Sequence, residues 1–125
     1  MNLKLFFIFS ITLIVLDFIW LIYFSKEIGN VITKIQKSPM KIYPIAAILA
    51  YLIMCISYYY ISFENDQPNY LKGALLGLAI YGTYEFTNYA TFKDWDLSVL
   101  IKDISWGVFL SVASLFISSK LNNLI

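Results

Sequence analysis

The sequence predicts an all-α polytopic membrane protein: four transmembrane helices in a compact bundle, with a short interfacial helix after the first span, in one domain covering residues 1–125. Three observations carry that prediction. Hydrophobic residues make up 60% of the chain and charged ones 14%, against about half and a quarter in a soluble domain. Four segments each supply the roughly 20 mostly apolar residues that a helix needs to cross hydrocarbon. The connections between them are short and polar, apart from the first.

The first span is expected over residues 3–24. Lys4 ahead of an apolar run resembles a signal peptide, but the run exceeds the usual length of about 7–15 residues, holds Asp17 and leads to no small-residue cleavage pattern. The connection "SKEIGNVITKIQKSPMK" then places Ile28, Val31, Ile32 and Ile35 at helical spacing with lysines between them. That pattern predicts a helix lying on the membrane surface; the alternative is an ordinary solvated connector. Pro39 and Pro44 bracket the start of the second span, residues 42–63, since a helix tolerates proline in its first turn. "ENDQPN" reads as a polar turn before the third span, residues 70–91. In "FKDWDLS" the charges of Lys93, Asp94 and Asp96 are expected to be solvated and Trp95 to anchor the interface, before a fourth span over residues 97–118.

Charge and composition exclude several functions. A net charge of +1 provides no basic face for nucleic acid. Without His or Arg there is no imidazole base, no His-containing metal site and no guanidinium clamp for phosphate. Cys55 has no disulfide partner within the chain, and neither it nor any serine has a His to activate it as a nucleophile. No haem, flavin or nucleotide motif is visible, which leaves any cofactor open. Lysine counting sets an orientation. Lys26, Lys34, Lys37, Lys41, Lys93 and Lys102 lie toward the side of the first and third connections, and only Lys4, Lys72 and Lys120 toward the other. Both termini are therefore expected on the non-cytoplasmic side.

The acids inside the spans raise the functional question. At 1.5 Å per residue, Asp17 and Glu85 lie about 8–10 Å before the ends of their spans and Asp103 about as far after the start of its own, which puts all three at one depth toward the expected cytoplasmic side. On the third span Gly73, Gly77, Tyr81, Tyr84, Glu85 and Asn88 share a stripe, and on the fourth Asp103, Gly107, Ser111, Ser114 and Ser118 share another. "GALLG" allows close helix approach in lipid, and Gly73, Gly77, Gly82 and Gly107 are the expected packing glycines. "DFIW" and "DISW" echo one another on the first and fourth spans, placing acid and indole one turn apart and suggesting inverted pseudo-symmetry.

Each such acid costs about 2.5–3.5 kcal/mol to insert, and the sequence supplies no internal counter-ion. The acids are then partly protonated, hold a cation, or are neutralised by hydrogen bonds. The expected ion- or ligand-binding residues are Asp17, Trp20, Tyr81, Tyr84, Glu85, Asn88, Asp103 and Trp106. Asp17, Glu85 and Asp103 are the candidate metal ligands, an oxygen set suited to hard cations. The structural alternative gives Asp103 a helix-dipole role and makes Asn88 interhelical glue.

"LDFIWL", "FSKEIG", "YGTYEFTNYAT" and "DISWG" resemble an uncharacterised family of small four-span membrane proteins, DUF2177. The resemblance spans nearly the whole chain. It implies the four-helix fold and singles out Asp17, Trp20, Tyr81, Gly82, Thr83, Tyr84, Glu85, Thr87, Asn88, Asp103, Trp106 and Gly107, but it implies no activity. From the residues, the leading expectation is a small homo-oligomer, most simply a two-fold dimer, that binds and conducts or transports protons or small cations. The alternatives are a membrane-embedded enzyme or binding protein for a lipid or other apolar ligand, and a purely structural or interaction protein.

Overall fold

Helix-capping chemistry sets where each segment begins and ends in the computed structural model, which describes all residues, Met1–Ile125. Helix α1 runs Leu3–Gln36, α2 Pro44–Ser62, α3 Tyr70–Thr91 and α4 Leu97–Leu124. Asn2 caps α1 by accepting from the Leu5 amide at 3.1 Å, Asn69 caps α3 from Lys72 at 3.0 Å, and Asp96 caps α4 from Ser98 at 2.7 Å. Each satisfies an amide that the first turn leaves without a partner. Pro44 starts α2, where a missing amide hydrogen costs nothing. Between α2 and α3 the polar turn is a small hairpin, strands β1 Phe63–Glu64 and β2 Gln67–Pro68 joined by Asn65 and Asp66. Both loop residues have positive φ, the signature of a type I′ turn.

The interfacial helix is not a separate element. Helix α1 continues without a break for 34 residues, about 50 Å, and stops only where Lys37 turns left-handed ahead of Pro39. Nothing between Phe24 and Gln36 breaks it, and the stripe expected to face lipid finds a protein partner instead. Val31 packs with Phe24, Trp95 and Val99, and Ile28, Ile32 and Ile35 flank that cluster.

Three helices, α1, α2 and α4, are long and apolar enough to cross a membrane; α3 is long enough but too polar by composition to qualify with them. The molecule's surface has the matching character. Phe7, Ile11, Val15, Phe18 and Ile22 on α1, and Ile45, Ile48, Leu52 and Ile53 on α2, point outward. Meanwhile Ser10, Asp17, Ser62, Glu85, Asp103, Ser111, Ser114 and Ser118 are buried. A soluble monomer does not carry so continuous an apolar exterior; lipid is the solvent it fits.

Antiparallel α3 and α4 are joined along a seam of small residues. A Cβ on Gly77 would strike Ser111 Oγ and come within 2.7 Å of the Gly107 carbonyl oxygen, one on Gly73 would strike Leu115, and one on Gly107 the Tyr81 ring. The stripes read from the sequence therefore meet inside one chain. Gly82 is not part of the seam, since a Cβ there would meet only Leu78 of its own helix, at 3.6 Å. Helix α2 is held differently. Its buried residues, Cys55, Tyr58, Tyr59 and Ser62, all lie in its second half, so its first half stands away from the bundle.

Candidate functional site

Asp17, Glu85 and Asp103 come from three helices, and each is enclosed by protein, at 6%, 0% and 8% exposure. Their environments differ. Asp17 is saturated: the Tyr51 hydroxyl donates to its Oδ2, and the Trp106 indole donates to its Oδ1 at 2.9 Å. Glu85 is half satisfied, with Trp95 Nε1 donating to Oε2 at 2.8 Å while the buried Oε1 has no partner. Asp103 adjoins Glu85, Asp17 and Trp20, yet the Trp20 indole N–H beside it is buried and hydrogen-bonds to nothing.

The two acid–indole echoes are realised between helices. Asp17 of α1 takes the indole of Trp106 on α4, Asp103 of α4 neighbours Trp20 on α1, and the two indoles stack at 5.0 Å and 8°. Trp20 also stacks on Phe24 at 4.7 Å. One half of this crossed arrangement is closed by hydrogen bonds and the other is open. Lys102, next to Asp103 in sequence, supplies no counter-charge; it turns out to Glu27 at 2.9 Å.

The open half faces a cavity of about 610 Å³. It lies between α1, the first half of α2 and α3, extending from Asp17 and Tyr51 to Met40 and Ile42 in the first connection. Fourteen of its 17 lining residues are hydrophobic, and its charged groups are Asp17 and Asp103. Such a volume suits a ligand of drug or lipid-chain size, with few polar groups to orient it. The cavity exists because α2 stands off where it has no buried side chains, tied at this height by Tyr51 to Asp17.

Of the residues expected from the sequence, Asp17, Trp20, Tyr81, Tyr84 and Asp103 line this cavity. Trp106 lies behind Asp17 as its donor, and Glu85 behind Asp103. Asn88 is half-buried and lines nothing here. The acids do not form the expected metal set, because no three His, Cys, Asp or Glu side chains are grouped to hold an ion; Asp17 is turned toward Tyr51 and Trp106 instead. Two contributors escaped the sequence reading. Trp95, expected as an interface anchor, is buried and serves as the donor to Glu85. Tyr51 is the lone hydroxyl in the apolar run "AAILAYLIM", and that isolation was its only signal.

A family model described as "Predicted membrane protein (DUF2177)" matches residues 2–119. No curated protein and no solved structure matches the chain.

Proposed function

The chain belongs to the DUF2177 family of predicted membrane proteins, and on that premise we propose that it is a four-span membrane protein that binds an apolar or amphipathic molecule taken from the bilayer. The observation that carries this reading is the cavity: apolar walls on three helices, with carboxyls at one end. Binding an apolar ligand there returns its buried area at about 25 cal/mol per Å², and the small polar floor fixes its orientation.

The fourth span is α3. Its polar residues Glu85 and the glycines at 73 and 77 are buried against neighbouring helices, so its modest apolarity reflects an inward face and not contact with water. Running antiparallel to α4 along the glycine seam, it crosses wherever α4 does. The whole chain acts as one four-helix unit. Both termini lie on the non-cytoplasmic side by lysine distribution, and a two-fold homodimer is the simplest assembly. The cavity is complete within one chain, so binding does not require the dimer.

A second reading, translocation of protons or small cations, is favoured by the fully buried Glu85 adjoining Asp103 with one oxygen free. Two carboxyls side by side offer neighbouring oxygens to a proton or a cation. It ranks second because the cavity walls carry no continuous polar lining. Ion flux in vesicles, compared with Asp17→Asn, Glu85→Gln and Asp103→Asn, decides it: flux that these variants abolish restores translocation to first place.

The ligand-binding reading is tested with purified protein in nanodiscs and a diazirine-bearing dodecanol. Crosslinks are expected to concentrate on cavity residues such as Ala50, Met54 and Ile80, and Ala50→Trp, which fills the space, should remove them. Labelling spread evenly over the lipid-facing belt, or unaffected by Ala50→Trp, overturns the reading.

A further inference from the structure

We infer that the cavity selects a lipophilic cation, an apolar body bearing a single ammonium head, and that this head is seated on Asp103. The inference rests on the ligand-binding reading above and adds the charge and orientation of the ligand.

Four observations carry it. First, Asp103 lines the cavity at 8% exposure, and the indole N–H beside it makes no hydrogen bond. Trp20 stands beside it as the counterpart of Trp106 but makes no aligned hydrogen bond, and no hydroxyl takes the place that Tyr51 has at Asp17. A buried carboxyl so weakly supplied with donors is costly, and an incoming N–H donor with a positive charge removes that cost most fully. Second, none of the chain's nine lysines lines the cavity, which has two carboxyls facing it and Glu85 directly behind. The charge imbalance is built in, and it asks for a cation.

Third, Trp20, Phe24, Tyr51, Tyr81 and Tyr84 surround the acid end of the space. Aromatic faces attract organic cations, and more strongly where water is excluded. Fourth, the remaining walls, Ser25 apart, are apolar as far as Met40 and Ile42. A hydrated metal ion has nothing to exchange its waters for along such walls, and no three acids are grouped to ligate one. An anionic amphiphile gains from the walls but is repelled by the carboxyls at the floor, and a neutral one brings no charge to balance them. An ammonium on an alkyl or aromatic body uses both ends of the cavity.

Asp103, not Asp17, is the seat because the crossed acid–indole pairs are unequal. Asp17 already accepts from Tyr51 and Trp106, whereas Asp103 retains its accepting capacity on the cavity side.

The test is competition. Protein in phosphatidylcholine nanodiscs is labelled with the diazirine-bearing dodecanol, and labelling of cavity residues is competed with dodecylammonium, dodecanol and dodecanoate at neutral pH. Partition of each competitor into empty nanodiscs is measured, so that concentrations are compared within the lipid. Dodecylammonium is expected to compete at a concentration about tenfold lower than dodecanol, the ratio for a charged over a neutral hydrogen-bond donor, with dodecanoate weakest. Asp103→Asn should collapse the preference toward one, and Asp103→Glu should restore most of it. Equal competition by ammonium and alcohol, with labelling still confined to the cavity, overturns the cation inference and leaves the ligand-binding reading standing. Labelling that is not confined to the cavity overturns the reading beneath it. If Asp103→Asn does not fold, the comparison of the three competitors on the unaltered protein decides by itself.

Discussion

Gly77 and Gly82 lie on the same helix and differ by the same methyl group from alanine, yet the fold assigns the substitutions opposite signs. At Gly77 an added Cβ would strike Ser111 Oγ and lie 2.7 Å from the Gly107 carbonyl oxygen. Those two atoms are the ends of one hydrogen bond, Ser111 Oγ donating to Gly107 O at 2.7 Å, and the Tyr58 hydroxyl bonds to the same serine. The carbonyl is backbone and cannot swing aside, so α3 must back away from α4. Overpacking of this kind costs about 1–3 kcal/mol, and a weakened buried hydrogen bond adds about 1 kcal/mol. Alanine's better helix propensity returns up to about 1 kcal/mol. Gly77→Ala should therefore destabilise by about 1–3 kcal/mol. Gly82→Ala, whose methyl meets only Leu78 at 3.6 Å, should be neutral or stabilising by up to about 1 kcal/mol. Reversible unfolding of the purified protein in mixed micelles, followed by tryptophan fluorescence, measures both. Equal effects, or Gly82→Ala as the more harmful, would refute the α3–α4 seam and with it the placement of Glu85 beside Asp103.

Three other outcomes follow from named contacts. Trp95→Phe leaves the fully buried Glu85 without its donor and should cost about 1–3 kcal/mol in the same unfolding assay; adding Glu85→Gln should recover part of the loss, because the amide N–H can donate to the neighbouring Asp103. Tyr51→Phe removes the hydroxyl that ties the first half of α2 to Asp17, so it should cost about 1–2 kcal/mol and speed hydrogen exchange over residues 47–50 more than over 55–59. In the hairpin turn, the hydrogen bond from Lys72 holds the Glu64 carboxyl below its ordinary 4.5. A lowered folded-state value means a contribution that is complete above that pH and lost as pH falls through the folded value. The pair is solvent-exposed, so Lys72→Ala should leave the neutral-pH midpoint almost unchanged and flatten the dependence only between about pH 5 and pH 3.

Much of the fold was legible because local chemistry and hydropathy agreed. The third helix begins and ends at Tyr70 and Thr91 as expected, with Asn69 in place to cap it. The buried faces of Asp17, Glu85 and Asp103 followed from cost: acids inside apolar spans turn away from lipid. What escaped were features decided by distant partners. Ile28, Val31, Ile32 and Ile35 make an amphipathic stripe whether they meet lipid or protein, and only the fold brings Trp95 and Val99 against them. Trp95 itself, flanked by charges in a loop, gives no local sign of burial. The echo of acid and indole was visible in the sequence, but its crossed pairing, with Asp17 held by Trp106 and Trp20 beside Asp103, is a property of how α1 and α4 pack. The standing-off of α2, which opens the cavity, depends on where its buried residues fall, and a run as uniformly apolar as "PIAAILAYLIM" does not reveal that.

The most direct measurement is an experimental structure of the protein in nanodiscs equilibrated with dodecylammonium. Elongated density is expected from Met40 and Ile42 inward, ending with the nitrogen about 3 Å from an Asp103 carboxyl oxygen, with Asp17 still bound by Tyr51 and Trp106. Acids turned outward to headgroup water, or α2 packed flush against α1 and α3 with no space for a ligand, would contradict that arrangement.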